Sequence, residues 1–311
     1  MAFAAFDLAA FEAATGQDRT AKAAELDRIC RDTGFLVLDG HGVDPAVIAA
    51  VWDAAQGFFA QDSAAKHAVA PPYQGYPYGY LGPDAEALAR SKGEDTPPDL
   101  KESFNGGPLR VPADASAEAM DFCYQPTLWP DLPGFRAAWE DYYAAMEDLA
   151  ARVMRAFAAA LHLPDGYFDP FIGHPISALR ALHYPATRGV PLDKQQRAGA
   201  HTDYGSLTIL LPQPGSQGLQ VQIGPDWVDV PAPEGAFVIN IGDLMARWTA
   251  DRWVSTLHRV VAKPDQPARQ SLAFFHQPDW DAEIAPLDGA EAYSPVKSGP
   301  YLMEKFRSTG T

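Results

Sequence analysis

The sequence predicts a mainly β protein with a helical N-terminal portion, and two observations carry that prediction. From residue 175 onward, seven short apolar runs follow one another, at 177–184, 206–211, 218–223, 227–230, 236–241, 256–262 and 270–276. Turns rich in Pro and Gly, such as Gln213-Pro214-Gly215 and Pro231-Ala232-Pro233-Glu234-Gly235, separate them. Many short strands without intervening helices point to an antiparallel barrel or jelly roll. Upstream of residue 175, apolar residues recur at steps of three and four, the spacing of helices buried along one face.

Taken in order, the first helix covers about 18–32, with Ala24, Leu26, Ile29 and Cys30 on its apolar face and Thr33-Gly34 as its stop. Phe35-Leu36-Val37-Leu38 is a short strand ended by Gly40-His41-Gly42. Asp44-Pro45 starts the next helix, with an acid at the cap and Pro in the first turn. Val47, Ile48, Val51, Trp52, Ala55, Phe58 and Phe59 carry that helix to about residue 60. Between Pro71 and Pro108, frequent Pro and Gly leave no room for long regular structure. Tyr76, Tyr78 and Tyr80 alternate in this segment, which is either a loop packing its tyrosines onto the core or a cover over a site. A long helix from about 134 to 161 buries the stripe Trp139, Tyr142, Met146, Leu149, Val153, Phe157 and Leu161 as core packing. The chain divides into an α/β portion at 1–115 and a second portion at 116–311 that holds the long helix and the barrel. No linker is long or polar enough for the two to be independent, and no internal repeat is present.

Composition excludes several classes of function. A hydrophobic content of 47% and a charged content of 21% over 311 residues describe a globular protein with core enough for a ligand cavity. The 24 Lys+Arg against 40 Asp+Glu leave a net charge of −16, and no basic run occurs, so nucleic acid is not an expected partner. Cys30 and Cys123 are the only cysteines, which suggests no disulfide framework and fits a reducing cytoplasm. The N-terminus lacks a cationic region before Lys22 and reads as neither secretory signal nor anchor. No apolar stretch is long enough to span a membrane. Oligomeric state is not legible.

The chemistry gathers at Ala200-His201-Thr202-Asp203-Tyr204-Gly205, which enters the run Ser206 to Leu211. In extended backbone, residues two apart project from one face, so His201 and Asp203 can converge. An imidazole nitrogen and a carboxylate oxygen side by side suit a divalent transition metal. His258, in Val254-Ser255-Thr256-Leu257-His258-Arg259-Val260-Val261, supplies a third ligand from another strand. Two histidines and one carboxylate form a facial triad that leaves positions open for a chelating acid and dioxygen. Eleven residues later, Arg269 and Ser271 share one face of the next strand, a planar two-donor fork beside a hydroxyl, suited to a carboxylate. Phe275 continues that face, while Leu272 and Phe274 point the other way. Alternation likewise sets Arg180, Leu182 and Tyr184 on one face, where Arg180 needs an anion, either a substrate carboxylate or a structural acid.

This ordered set resembles the non-haem Fe(II)- and 2-oxoglutarate-dependent dioxygenases of the isopenicillin N synthase-like family. Gly34-Phe35, His41-Gly42, Asp99 through Phe104, Gly235 through Gly242-Asp243 and Leu272-Ala273-Phe274-Phe275 extend the likeness over about residues 5–305. The resemblance implies a double-stranded β-helix (jelly roll) core with flanking helices. It further implies Fe(II) on His201, Asp203 and His258, and the distal carboxylate of 2-oxoglutarate on Arg269 and Ser271. Tyr184 matches the family tyrosine that also contacts the cosubstrate, although Leu182-His183-Tyr184-Pro185 replaces the Asn-Tyr-Tyr-Pro common in plant members. The implied reaction consumes 2-oxoglutarate and dioxygen, releases succinate and carbon dioxide, and oxidises a small organic substrate, with hydroxylation as the default. Arg180, Tyr76, Tyr78, Tyr80, Phe104 and Phe275 are the candidate walls of the substrate pocket. Three alternatives stay open at this level: a 2-oxoglutarate-independent oxidase of the same fold, a zinc hydrolase, and a non-catalytic metal-binding protein. The hydrolase is disfavoured by the absence of an H-E-x-x-H helix and by an unexplained Arg-x-Ser pair.

Overall fold

Two β-sheets face one another across an apolar interior, and helices pack on the outside of the larger one. The computed structural model describes residues 3–308 apart from 84, 288 and 290. The helical portion holds α1 (Leu8–Ala13), α2 (Gly16–Asp32), α3 (Pro45–Phe59), α4 (Ser63–His67), α5 (Ala117–Phe122) and α6 (Phe135–Ala160). Interspersed with these are strands β1 (Ala5–Asp7), β2 (Phe35–Asp39), β3 (Gly79–Leu81) and β4 (Glu102–Gly106). The barrel strands are β5 (Ala178–Tyr184), β6 (Ala198–His201), β7 (Leu207–Pro212), β8 (Leu219–Ile223), β9 (Asp226–Asp229), β10 (Phe237–Ile241), β11 (His258–Val260) and β12 (Arg269–His276). Two further helices follow β10, α7 (Asp243–Trp248) and α8 (Ser298–Ser308).

The larger sheet runs β1-β2-β10-β7-β12-β5-β4-β3 and the smaller one β6-β11-β8-β9. From β5 to β12 the chain passes repeatedly between the sheets, which is how a jelly roll closes its edges. Strand alternation sorts the side chains. Leu272 and Phe274 on β12, with Phe237 and Ile239 on β10, join α6 residues Trp139, Tyr142, Met146 and Leu149 in the helix-facing core. Ala273 and Val238, with Leu182 and Tyr184 from β5, turn inward to meet Val221 and Val260 of the smaller sheet. The period-two pattern thus produces two cores, one on each face of one sheet.

Most elements stand within a residue or two of the sequence reading, including α3, whose cap Asp44 accepts the Ala46 N–H on a side-chain oxygen. The exceptions are short. The segment from Pro71 to Pro108 contains β3 and β4, which extend the sheet beyond β5. β6, with sequence Ala-Gly-Ala-His, has little intrinsic strand preference and owes its conformation to pairing with β11. α7 interrupts the strand succession, and α8 packs beside it at the end of the described chain.

Candidate active site

His201 closes β6, and His258 opens β11, the strand paired with it, so the two rings sit opposite each other with centroids 4.3 Å apart. Asp203 does not continue the strand, as extended backbone would predict; it lies in the turn between β6 and β7. That turn docks where Gly242 meets Gly205: a β-carbon on Gly242 would stand 2.1 Å from the Gly205 carbonyl oxygen. The close approach lets the Asp243 N–H reach the Asp203 carbonyl at 2.7 Å. Asp203 Oδ1 then stands 3.7 Å from Nε2 of each histidine, and the three donor atoms lie within 4.8 Å of one another.

Hydrogen bonds on the far side of each ligand fix its orientation. His201 Nδ1 is 2.7 Å from the Gly199 carbonyl and His258 Nδ1 is 3.1 Å from the Thr256 carbonyl. A carbonyl only accepts, so each Nδ1 carries the proton and each Nε2 presents a lone pair. Thr208 Oγ1 and Asn240 Nδ2 both donate to Asp203 Oδ2, at 2.5 and 2.7 Å, leaving Oδ1 turned to the imidazoles. Burial, followed by the neighbouring His258, pushes the His201 imidazole down to about 3. Burial alone would raise the Asp203 carboxyl, but the two imidazoles and the Thr208 and Asn240 donors outweigh it and hold it below its ordinary value. A neutral imidazole and an ionised carboxylate at neutral pH are the states that bind a metal.

At the other end of the same interior, Arg269 begins β12 directly opposite Tyr184 on β5, with its guanidinium 4.7 Å from the Tyr184 ring centre. Ser271 pairs with Leu182 and Pro212 and turns to the same inner face. Arg269 Nη1 donates to the Gln217 carbonyl, but Arg269 Nε and Ser271 Oγ are buried without a hydrogen-bond partner. Two unpartnered buried groups on one inner face are available to a ligand.

Residues 175–278 match the 2OG-Fe(II) oxygenase superfamily model, and residues 5–132 match that of the non-haem dioxygenase in morphine synthesis N-terminal region. Validamycin A dioxygenase of Streptomyces hygroscopicus subsp. limoneus is 33% identical over 314 residues, covering 96% of this chain and 84% of the relative. This chain belongs to the 2OG-Fe(II) oxygenases. The 2-oxoglutarate-dependent dioxygenase citB of Monascus ruber is 37% identical, over 83% of this chain and 79% of its own. A full-length Neurospora crassa protein crystallised with alpha-KG (2-oxoglutarate) and thymine superposes with a TM-score of 0.84 at 29% identity, covering 99% of this chain and 96% of that one. This oxygenase is therefore an oxidoreductase that uses Fe(II) and 2-oxoglutarate, and the hydrolase and non-catalytic alternatives fall away.

The donor set fits the iron: two imidazoles and one carboxylate converge from three directions, with their outward atoms already bonded. The Arg269 and Ser271 orphans fit a carboxylate in the same way.

The other candidate pocket residues separate into two groups. Phe275 faces the interior, opposite Thr208. Arg180 also turns inward, but its Nη1 is 3.0 Å from Glu86, so its partner is a structural acid. Four expected wall residues lie elsewhere. Phe104 is fully buried on the helix-facing side against Phe58, Phe135 and Trp139, because it pairs with Ala181, not with an inward residue. Tyr80 joins the same core and donates to Glu102 at 2.6 Å. Tyr78 and Tyr76 donate to the carbonyls of Cys123 and Pro126. The tyrosines fasten the Pro-rich segment down.

Among the remaining histidines, His183 bonds Glu102 on the helix side and His276 bonds Ser206, so neither reaches the metal point. Sequence reasoning missed Thr208 and Asn240, which carry no signal until the strands are paired. It also missed a polar chain over the site, where Lys92 donates to Thr202, and Thr202 and Lys305 of α8 donate to Asp243.

Proposed function

We propose that His201, Asp203 and His258 hold the Fe(II), that Arg269, Ser271 and Tyr184 receive the distal carboxylate of 2-oxoglutarate, and that the enzyme hydroxylates a small, uncharged, polar organic substrate. The observation that carries the assignment is the pair of poles in one interior: a converged His-Asp-His set at one end and buried unpartnered carboxylate donors at the other. Bound there, iron and 2-oxoglutarate supply the activation of dioxygen, with decarboxylation of the oxo acid to succinate and oxidation of a substrate C–H bond. The chain's own residues do the rest. Thr208 and Asn240 restrict Asp203 to one oxygen, and the Gly199 and Thr256 carbonyls orient the imidazoles. The apolar interior formed by Val221, Val238 and Val260 keeps bulk water from the reacting centre.

The neutral character of the substrate is supported by the pairing of the buried charges around Arg180. Arg180 is matched by Glu86, and Lys101 by both Glu86 and Asp99, at 3.0 to 3.2 Å. Two cations and two anions cancel, so none of these groups is left to hold a substrate carboxylate. The Neurospora structure with thymine, a neutral polar ring, is consistent with such a substrate. Among the described residues no helix is long and apolar enough to cross a membrane. With two cysteines, both buried and free, a cytoplasmic location is the reading we adopt.

The test is anaerobic addition of 2-oxoglutarate to the Fe(II)-loaded enzyme, followed by oxygen. A metal-to-ligand charge-transfer band and slow succinate release, both lost in Asp203→Ala, are expected. A wild-type protein that gives neither would sink the residue assignment.

A further inference from the structure

Arg197 lies just before β6, four residues from His201, and is 2% exposed. Its Nη2 donates to the carbonyls of Pro185 at 3.0 Å and Pro267 at 2.7 Å, while its Nε is buried with no partner. Pro185 directly follows Tyr184, and Pro267 stands two residues before Arg269. The guanidinium is therefore strapped across the ends of β5 and β12 at the point where Arg269 and Tyr184 face each other. Arg269 is buried as well, and its Nε also lacks a partner. Among the described residues, no ion pair joins either arginine to a carboxylate.

Two buried guanidiniums at one end of a barrel, with neutral carbonyls as their protein partners, are an unusual expense, since isolated buried charge is strongly disfavoured. Arg180, by contrast, has Glu86. We infer that Arg197 is a second cationic anchor of the oxo-acid carboxylate subsite, so that this end of the barrel presents two positive charges to the incoming dianion. Both side chains are held below the ordinary arginine value, Arg197 by burial and then by Arg269, and Arg269 by burial. An anion bound beside them would relieve the repulsion that Arg197 feels from Arg269.

This inference rests on the reading of Arg269 as the cosubstrate anchor, and the experiment separates the two. Calorimetric titration of 2-oxoglutarate into the anaerobic Fe(II) enzyme gives a Kd for wild type, Arg197→Gln, Arg197→Lys and Arg269→Gln. Thermal melts of the metal-free proteins, with and without 2-oxoglutarate, accompany it. We expect Arg197→Gln to weaken binding by about tenfold or more, in the range of a lost charge-assisted hydrogen bond. Arg197→Lys should recover much of it. The ligand-free melting temperature of Arg197→Gln sets the lost Pro185 and Pro267 hydrogen bonds against the removal of an uncompensated charge, so the 2-oxoglutarate Kd is the deciding readout. A lower melting temperature in Arg197→Gln with unchanged affinity would make Arg197 a purely structural strap and overturn the inference alone. Unchanged affinity in Arg269→Gln would overturn the underlying reading instead.

Discussion

The two ends of the barrel interior are built on opposite plans. At the metal end, each ligand atom turned away from the metal point is already satisfied: both Nδ1 atoms by carbonyls, and Asp203 Oδ2 by two donors. At the carboxylate end, Arg269 Nε, Ser271 Oγ and Arg197 Nε are buried and unsatisfied. The first end is preorganised and needs only the ion. The second is left incomplete, and on the proposed assignment the cosubstrate would relieve its desolvation cost. On that assignment, metal affinity would be set by hydrogen bonds within the chain, and cosubstrate affinity by hydrogen bonds the chain cannot make alone.

That contrast can be broken at either end. The largest effect is expected for Asp203→Ala, which removes the only carboxylate of the triad and should abolish iron retention and succinate release together. Asn240→Leu leaves all three ligands but frees one side of Asp203; anaerobic Fe(II) titration should show a loss of affinity of about 10- to 100-fold. An unchanged value would mean that Thr208 alone fixes the carboxylate. Acid should act on the metal end too. His201 stays unprotonated in the folded chain down to about 3, whereas the unfolded chain takes up that proton near the ordinary histidine value of 6.5. The unfolded state then binds more protons, so metal-free stability falls as pH drops below 6.5, by about 1.4 kcal/mol per pH unit for this group. Denaturant melts at pH 7 and 5 should show the loss, and His201→Gln should flatten it. The smallest change is expected at the carboxylate end. Ser271→Ala deletes an unsatisfied buried hydroxyl, so ligand-free stability should hold or rise by up to about 1 kcal/mol while 2-oxoglutarate affinity drops by about fivefold. A clear loss of ligand-free stability would show that the hydroxyl is already bonded.

The sequence made the long elements and the ligand types readable because both are local. The helical stripe of α6 and the alternation of β12 come from period alone, and the observed spans follow them closely. His201, Asp203 and His258 stood out through residue type and order. What was not legible depends on pairing. Phe104 and Asn105 are neighbours on β4, and only the register with Ala181 and Arg180 decides that Phe104 turns to the helices. The Tyr-rich stretch reads equally as a packed loop or a pocket wall, because aromatic residues in a Pro-rich segment suit either an anchor or a lining. Their hydroxyls reveal the anchors, by bonding Glu102 and the carbonyls of Cys123 and Pro126. Asn240 and Thr208 lie 37 and five residues from Asp203, and neither distance suggests a partnership.

The histidines and the aspartate also differ in how far their geometry can travel. Each imidazole is oriented by the carbonyl two residues before it, within Gly199-Ala200-His201 and Thr256-Leu257-His258. Such a tripeptide carries its own aiming device and would keep it if grafted onto another edge-paired strand. Asp203 has no such portability: its aim is distributed over β7, β10 and the Gly205–Gly242 crossing. A designer transplanting this centre, or a lineage shuffling its strands, could move the nitrogen donors as cassettes but would have to rebuild the oxygen donor from the surrounding fold.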